Sequence, residues 1–272
     1  MTDQRERYDR IADGYARWWG PIIAPAALRA LDEVSDDVAA GATKLLDVGT
    51  GTGTLAIAAI RRWPTVEVTA IDASSGMVAK ARAEANRLLG RRDRARLHLK
   101  VAFADELDLA DASIDIAVSS FVLQLVPNRF RALREVARVL RPGGAFGWVS
   151  WLAGSMHWYP DDDFDDALVD VGEEPREWDD RPGDVPDPTA AAAQMRRAGY
   201  RDVRAEAGRL VHPFAVDDVV GFLTEFDEED LVTSLGPKRD RFEAALRRRL
   251  RRRSRRDLAL DHRTVTVRGV RG

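Results

Sequence analysis

Apolar runs of strand length alternate with amphipathic segments along the first 152 residues of the chain. The runs are aliphatic or alternate in polarity, as strands do, and lie at 44–49, 66–72, 96–105, 114–126 and 145–152. The segments between them repeat apolar residues at helical spacing and lie at 54–63, 76–89 and 129–140, with a turn at 141–144. Strands that alternate with helices predict βαβ units and a parallel sheet. With right-handed crossovers, we expect a doubly wound α/β domain with helices on both faces.

A segment of different composition follows the fifth predicted strand. Residues 155–188 are rich in aspartate, tryptophan and proline, and a solvated acidic loop is one interpretation. The segment also holds more aromatic residues than a structureless linker usually does, namely Trp158, Tyr159, Phe164 and Trp178. We therefore predict a partly ordered cap.

The last third of the chain returns to regular patterns. Helical spacing is found at 189–200 and 216–257, and strand-like runs lie at 202–214 and 263–270. We divide the chain into a helical lid at 1–43, a core at 44–154, the cap at 155–188, and the remainder of the core at 189–272 with a helical insertion at 216–257.

The composition of the chain excludes several kinds of site and of protein. The 272 residues include no cysteine, which excludes disulfides, thiolate metal sites and a cysteine nucleophile. Neighbouring carboxylates such as Asp161 and Asp163 are expected to be solvated, so we predict no metal site. The N-terminal residues lack the apolar core of a secretory signal, and no apolar run approaches the roughly 18 residues of a membrane span. We expect a cytoplasmic protein.

Three glycines follow the first predicted strand in the sequence "LLDVGTGTG", residues 45–53. Gly49, Gly51 and Gly53 lie at the carboxyl end of that strand, where sheets of this kind bind ligands. Glycines adopt positive φ and let the backbone approach a ligand, and the N–H groups of the following helix point to the same place. Because a structural turn needs fewer glycines, the loop predicts a nucleotide site.

The glycine spacing alone leaves the nucleotide open. Gly51, Gly53 and Ala56 satisfy the G-x-G-x-x-A fingerprint of dinucleotide sites. Asp72 ends the second predicted strand about 20 residues further on, as the ribose ligand of an NAD site does. The same pattern fits another adenosine cofactor.

The order of the motifs resembles the class I S-adenosylmethionine-dependent methyltransferases, and within them the small-molecule branch that includes the ubiquinone and menaquinone biosynthesis enzymes. Besides the glycine loop, the resemblance rests on "YDRIADGYARWW", "VTAIDASSGMVAKAR", "VAFADELDLADASIDIAVSSFVLQLVPN" and "FRALREVARVLRPGGAF". It covers residues 8–152, with a weaker match in the final strand. It implies a Rossmann-like, mainly parallel seven-stranded sheet with a helical or loop cap.

The resemblance also implies roles for individual residues toward S-adenosylmethionine. Asp72 would bind the ribose hydroxyls, Met77 would lie against the adenine, and Asp105 would lie beside the adenine amino group. Tyr8 and Tyr15 would close over the cofactor. The matching motifs add further cofactor-binding candidates, which are Gly49, Thr50, Gly51, Gly53, Ala73, Ala104, Glu106, Ser119 and Ser120.

Asp47 favours S-adenosylmethionine over NAD on chemical grounds. Its carboxylate comes just before the glycines and can stabilise the positively charged methionine end, directly or through water. NAD would instead bring a pyrophosphate to this place, and like charges at short range repel.

The implied reaction is an in-line methyl transfer to an oxygen, nitrogen or carbon nucleophile, which leaves S-adenosylhomocysteine. Many relatives carry a histidine just after the fourth strand, where this chain has Gln124, and glutamine takes no proton at neutral pH. His157, which follows the fifth strand, is the alternative base, although a packed or exposed loop histidine fits the sequence equally well. Tyr15 is the third catalytic candidate. The other histidines, His98, His212 and His262, lie in or beside strands and are expected to be structural.

A small-molecule acceptor is the predicted partner, and the chain is expected to be a monomer or a homodimer. We expect a flat or apolar acceptor because several rings would cover the carboxyl edge of the sheet. These rings are Trp18, Trp19, Trp151, Trp158 and Phe121.

The run "RRRLRRRSRR" at 247–256 allows a second interpretation, a nucleic-acid patch of an RNA or DNA methyltransferase. We favour a basic helix face that pairs with the acidic stretch 227–230 or with the cap, because the net charge of the chain is −3. The sequence "SSFV" after strand four also lacks the Asn/Asp-Pro-Pro-aromatic signature of amino-methylating nucleic-acid enzymes. The residues also leave open an NAD-dependent oxidoreductase and a binding protein that keeps the cofactor but has lost transfer chemistry.

Overall fold

A single seven-stranded sheet organises the residues that the computed structural model describes, which are 4–154, 157–177 and 184–272. Its strands are β1 (Lys44–Val48), β2 (Glu67–Asp72), β3 (Leu97–Val101), β4 (Ile114–Ser120), β5 (Leu140–Trp151), β6 (Tyr200–His212) and β7 (Leu260–Arg271). Their order in the sheet is β3-β2-β1-β4-β5-β7-β6. All neighbours are parallel except β7, which is antiparallel to β5 and β6. The predicted doubly wound, mainly parallel sheet is confirmed.

Helices connect the strands and cover the sheet. Those of the first half are α1 (Gln4–Gly14), α2 (Gly20–Ala27), α3 (Arg29–Asp32), α4 (Ser35–Ala39), α5 (Thr54–Arg62), α6 (Ser75–Leu88), α7 (Arg91–Arg94) and α8 (Arg129–Val139). Those of the second half are α9 (Tyr159–Asp170), α10 (Pro188–Arg197), α11 (Val216–Phe222), α12 (Glu229–Ser234), α13 (Arg239–Leu250) and α14 (Arg255–Leu258). Two π-helical segments, Tyr15–Trp19 and Leu223–Asp227, and a 3₁₀ turn, Gly236–Lys238, complete the set in the described part of the chain.

The sheet separates two hydrophobic layers. Leu45 and Leu46 on β1 are both fully buried, yet they belong to different layers, because successive side chains of a strand point to opposite faces. A strand buried on both faces reads as a continuous apolar run, as β1 does. This arrangement brings the carboxyl ends of β1, β2, β4 and β5 to one edge of the sheet.

Several element boundaries differ from the predictions. The residues at 141–144 do not end the helix with a separate turn but belong to β5, where a bulge opposite Ile114 and Ile116 accommodates them. Strand β4 stops at Ser120, because Phe121 adopts a positive φ of 55°. The helical stretch predicted at 216–257 is divided into several pieces.

Part of the predicted cap is a helix. Helix α9 buries Phe164, whose ring packs edge-on against Phe242 of α13 at 4.9 Å. Arg176, in the segment after α9, forms ion pairs with Asp165 at 2.8 Å and with Glu228 at 2.8 Å. Trp178, one of the aromatic residues that suggested an ordered cap, lies outside the described residues.

The arginine-rich run pairs with the cap. Arg249 contacts Asp166 at 2.9 Å and Asp170 at 3.0 Å, and Arg253 forms two hydrogen bonds to Asp163, at 2.8 and 3.0 Å. Asp163 is only 3% exposed, so the last pair is largely buried. The interpretation of the run as a helix face that pairs with the acidic cap therefore fits the structure. No helix in the described part of the chain is long and apolar enough to cross a membrane.

We predict that Arg253→Ala lowers the free energy of unfolding by about 3 kcal/mol, because it leaves the buried Asp163 carboxylate without its partner. Arg252→Ala is the matched control, since Arg252 is the exposed neighbour with no side-chain partner among the described residues, and it should change stability by less than about 0.5 kcal/mol. Urea unfolding of the three proteins measures the difference. Equal losses for both variants would contradict the assignment of the ion pair.

Candidate functional site

The glycine loop after β1 has the backbone that its sequence predicted. Gly49, Gly51 and Gly53 have φ values of 72°, 54° and 89°, which side chains rarely tolerate. A side chain at position 49 is also excluded sterically, because a β-carbon on Gly49 would lie 2.2 Å from a methyl group of Val122. The loop is thus held between the end of β1 and the segment that follows β4.

Asp72 fastens this loop to the end of β2. Its Oδ2 accepts a hydrogen bond from the backbone N–H of Gly51 at 2.8 Å, and its Oδ1 accepts one from the backbone N–H of Ser74 at 2.9 Å. Burial raises the pKa of Asp72 above its ordinary value, and the two N–H donors oppose that effect. The carboxylate oxygens have lone pairs left for further donors.

Asp47 is the most deeply buried acid of the loop. It is 1% exposed, and its Oδ2 accepts a hydrogen bond from the Thr50 hydroxyl at 2.7 Å. Its Oδ1 is buried and meets no donor in hydrogen-bond geometry in the described part of the chain. Burial raises the pKa of Asp47 to about 7; the Thr50 hydroxyl and the nearby backbone N–H of Ala56 oppose the increase, and the charge of Asp72 adds to it. A buried acceptor without a partner needs an explanation, and a cationic or hydrogen-donating ligand group provides one.

Helix α1 docks beside this site through an aspartate that the sequence reasoning missed. Asp9 Oδ1 accepts hydrogen bonds from the Gly76 N–H at 2.7 Å and the Ser74 hydroxyl at 2.7 Å. These donors lie at the first turn of α6, and they lower the pKa of Asp9. A β-carbon on Gly76 would lie 2.8 Å from the Asp9 carbonyl, so the glycine permits the close approach. The signal available in the sequence was the helix-start pattern at Ser74.

Two tyrosines of the N-terminal segment lie next to the loop. The Tyr15 ring is 3.9 Å from the position that a β-carbon on Gly51 would take, and Tyr8 meets Tyr15 edge-on at 6.1 Å. Burial raises the pKa of Tyr15 well above its usual value, with Tyr8 and Asp72 as further causes. Tyr15 therefore stays protonated at neutral pH.

The segment after β4 supports the loop from the other side. The Ser119 hydroxyl donates to the Val48 carbonyl at 2.8 Å, and the half-buried Ser120 ends the strand. Gln124 Oε1 accepts a hydrogen bond from the Ser150 hydroxyl at 2.9 Å, so this oxygen is engaged with β5. The strained φ of Phe121 lies at the carboxyl end of a central strand, where strained residues often mark functional sites.

The remaining predicted cofactor residues surround the ends of β2 and β3. Met77 is 1% exposed in the first turn of α6, and Ala73 is half-buried. Asp105 and Ala104 are half-buried in a turn after β3, and the neighbouring Glu106 is exposed and lies 3.6 Å from Arg131. Their roles toward a cofactor stay predictions.

His157 is an exposed residue paired within the cap. Its Nε2 lies 2.6 Å from Asp162 Oδ2, and its ring meets Tyr159 edge-on at 5.2 Å. A role as base stays a prediction. Among the other histidines, His98 pairs with Glu67 at 2.7 Å, at the start of β2 and away from the glycine loop.

Three of the five predicted acceptor rings form a continuous set. Trp151 lies 4.1 Å from Phe121 and 6.0 Å from Trp19, measured between ring centroids. Trp158, which like Phe121 and Trp151 is buried in the core, packs instead against Phe222 at 5.8 Å, and its indole N–H donates to the Leu258 carbonyl. The remaining ring, Trp18, packs on Gly221, and its indole N–H donates to Glu225 at 3.3 Å.

Comparison with known proteins indicates a family for part of the chain. Residues 45–144 match the family model described as a methyltransferase domain. The ubiquinone/menaquinone biosynthesis C-methyltransferase UbiE of Syntrophotalea carbinolica is 34% identical over 154 residues, which cover 52% of this chain and 58% of that protein. The malonyl-[acyl-carrier protein] O-methyltransferase of Geobacter sulfurreducens is 34% identical over 113 residues, which cover 42% and 40%. The chain thus spans about half the length of the curated relatives that it matches.

Solved structures share the fold at lower sequence identity. The [4+2]-cyclase SpnF superposes with a TM-score of 0.56 at 21% identity, over 90% of this chain and 82% of that one. The phosphoethanolamine N-methyltransferase 2 of Haemonchus contortus, solved with S-adenosyl-L-methionine, gives a TM-score of 0.51 at 16% identity, over 89% and 52%. At these identities the similarity shows the fold alone.

We predict that Gly49→Ala lowers the free energy of unfolding by about 2–4 kcal/mol, because the new methyl group meets both a left-handed backbone and Val122. Gly90→Ala is the control, since Gly90 has a φ of −68° and open space around it, and it should cost less than about 1 kcal/mol. Denaturant unfolding measures both. A Gly49 variant as stable as the Gly90 variant would show that the loop is not constrained in this way.

The raised pKa of Asp47 predicts a pH-dependent stability. The folded pKa of about 7 exceeds the ordinary value of 3.8, so its contribution is fully present below about pH 4 and is lost as the pH rises through 7. Asp47→Asn removes the buried charge and keeps an oxygen for the Thr50 hydroxyl. The stability of the variant relative to the original protein should therefore be about 2–4 kcal/mol greater at pH 8 than at pH 5. Urea unfolding at the two pH values checks this, and a pH-independent difference would contradict it.

Proposed function

We propose that this chain, a class I S-adenosylmethionine-dependent methyltransferase by its residues 45–144, transfers a methyl group from S-adenosylmethionine to a small-molecule acceptor. The observation that carries the proposal is a pair of carboxylates at one glycine loop: the buried Asp47 precedes the loop, and the half-buried Asp72 at the end of β2 accepts from the N–H of Gly51 within it. The methyltransferase-domain model that matches residues 45–144 and the methyltransferase relatives support the family that the sequence motifs indicated.

The residues of the loop fit the chemical groups of this cofactor. The unpartnered Oδ1 of Asp47 offers a buried acceptor to the cationic methionine end, whereas a pyrophosphate would be repelled there. Asp72 retains acceptor capacity for a ribose diol, and Tyr15 covers the loop. When bound, S-adenosylmethionine supplies a methyl group made electrophilic by the sulfonium. The chain's own part is to position the acceptor and to exclude water.

Neither Gln124 nor Tyr15 is suited to accept the acceptor's proton. The oxygen of Gln124 is engaged by Ser150, and the pKa of Tyr15 is raised, so both side chains remain neutral. We assign Gln124 and Tyr15 positioning roles. His157 remains the base predicted from the sequence, and because its Nε2 engages Asp162, its Nδ1 is the nitrogen that would take the proton.

The acceptor that we propose is flat or apolar, because Trp19, Trp151 and Phe121 form one aromatic set beyond the end of β4. The matched relatives include a C-methyltransferase of ubiquinone/menaquinone biosynthesis and an O-methyltransferase of malonyl-[acyl-carrier protein]. A nucleic-acid substrate is disfavoured, since Arg249 and Arg253 are paired within the molecule. We further propose a cytoplasmic monomer or homodimer with the cofactor bound by residues 44–154.

Calorimetric titration tests the cofactor assignment. We expect micromolar binding of S-adenosylmethionine and S-adenosylhomocysteine but not of NAD, and a loss of at least about 100-fold in Asp72→Ala, since two charge-assisted hydrogen bonds to the ligand disappear. Glu67→Ala is the matched control, because Glu67 is the exposed acid at the other end of β2. Circular dichroism verifies that each variant is folded. Binding of NAD alone would overturn the proposal.

A further inference from the structure

The sheet ends in a long strand with one unpaired side. Strand β6 has 13 residues and pairs only with β7, whereas strands typically have about five or six residues. Residues 204–212 pair with β7 without interruption. Along this stretch, the side of the strand that faces away from β7 bonds to no other backbone group in the described part of the chain. Such an edge is a template for another strand.

The free edge is blocked at one end only. Asp202 has a positive φ of 51°, and the register with β7 shifts between Arg201 and Arg204, as it does at a bulge. A bulge ends regular pairing and is one of the devices by which natural proteins protect an edge. The bulge leaves the stretch from 203 to 212 open to a partner strand.

The sequence of this stretch is complementary to its own reverse. Residues 203–207 read Val-Arg-Ala-Glu-Ala. In two antiparallel copies related by a two-fold axis at Ala205, Arg204 lies opposite the partner's Glu206, and Val203 lies opposite the partner's Ala207. The axis makes each of these pairs occur twice. Directly opposite side chains are about 4.5–5.5 Å apart between their β-carbons, and opposite charges at these positions stabilise the pairing.

The two faces of β6 agree with this register. Val203 and Ala205 pack against the hydrophobic layer that contains Met195 of α10. Successive side chains of a strand alternate between faces, so Arg204 and Glu206 lie on the other face, where both are within electrostatic range of a glutamate of α3. The register therefore sets apolar residues opposite apolar residues on one face and opposite charges on the other.

The two charged residues at the centre of the edge are available for a partner. Arg204 and Glu206 are exposed, and neither forms an ion pair within the described residues, whereas Arg209 further along the strand pairs with Asp261. The side chain of Arg29 lies over the same strand, because its Nη1 is 2.8 Å from the position of a β-carbon on Gly208. Arg29 and the exposed residue before it would widen a contact along the strand, toward the roughly 1,200 Å² that a stable interface buries.

The opposite edge of the sheet lacks this complementarity. Strand β3 has only five residues, Leu97–Val101. Antiparallel pairing of two copies about its central Leu99 would set His98 opposite the partner's Lys100, and no opposite charges would meet. A short strand with a lysine is typical of a protected edge.

We propose that β6 is the interface of a homodimer. Two copies pair antiparallel through residues 203–207, about a two-fold axis at Ala205, and their sheets become continuous. The occupant of the edge is a second copy of the chain because the edge is complementary to itself in both charge and apolar positions. The inference concerns assembly and does not depend on the proposed function.

Charge reversal tests the pairing. Sedimentation equilibrium of the original protein should give twice the mass of one chain. Arg204→Glu and Glu206→Arg should each raise the dissociation constant at least about 30-fold, because each sets like charges opposite one another in both symmetric pairs. An equimolar mixture of the two variants should recover the dimer, since one variant then offers two acids to the two arginines of the other.

Arg82→Glu is the matched control for the charge change. Arg82 is exposed on α6, which packs on β2 and β3 at the other end of the sheet. This variant should leave the dissociation constant within about twofold of the original value.

Cross-linking tests the position of the axis. The chain contains no cysteine, so a single introduced thiol reports a single contact. In Ala205→Cys the two thiols lie opposite each other, at a separation that a disulfide spans, and oxidised glutathione should produce a covalent dimer on a non-reducing gel. In Ala207→Cys, the control, the two thiols would be about 13 Å apart, so this variant should not cross-link.

Three results would overturn the inference. The first is a monomeric original protein at about 100 µM, a concentration at which a standard interface associates. The second is a dimer that neither charge reversal weakens. The third is a dimer that cross-links through position 207 but not through position 205. Should a charge variant fail to fold, the two cysteine variants decide the question. Loss of S-adenosylmethionine binding would bear on the proposed function alone.

Discussion

Burial of two carboxylates at the ends of neighbouring parallel strands is the constraint on which the site depends. Asp47 loses its hydration and the half-buried Asp72 loses part of it, which raises the pKa of each, and their hydrogen-bond partners limit that cost. Those partners are the Thr50 hydroxyl and the N–H groups of Gly51 and Ser74. The loop must fold back sharply to present the Thr50 and Gly51 donors. Left-handed glycines, which other residues could replace only under strain, provide that path.

The N-terminal segment is placed by the same constraint. The end of β2 leads directly into α6, whose first turn donates to Asp9, so the position of Asp72 also fixes where α1 docks. From there a π turn carries Tyr15 to the glycine loop and Trp19 to the aromatic set. The glycine loop, the N-terminal segment and the aromatic set are therefore one connected structure.

Charge plays a different part in the second half of the chain. The aspartates of α9 lie opposite the arginines at the end of α13 and just after it, and their most buried pair joins Asp163 to Arg253. Dense runs of like charge usually suggest a polyanion or polycation partner. Here they fasten one helix of the cap to the helical insertion, which explains how strongly charged segments coexist with a net charge of −3.

The sequence by itself determined the alternation of strands and helices, the glycine loop and the place of Asp72, because these follow from short-range periodicity and from residues adjacent in the chain. Only the tertiary structure decided which groups the other side chains of the site contact. Gln124 is engaged by Ser150 of a neighbouring strand, Trp18 packs on Gly221, and the ring of Trp19 meets that of Trp151. Such outcomes depend on partners more than 20 residues away, which no local pattern encodes.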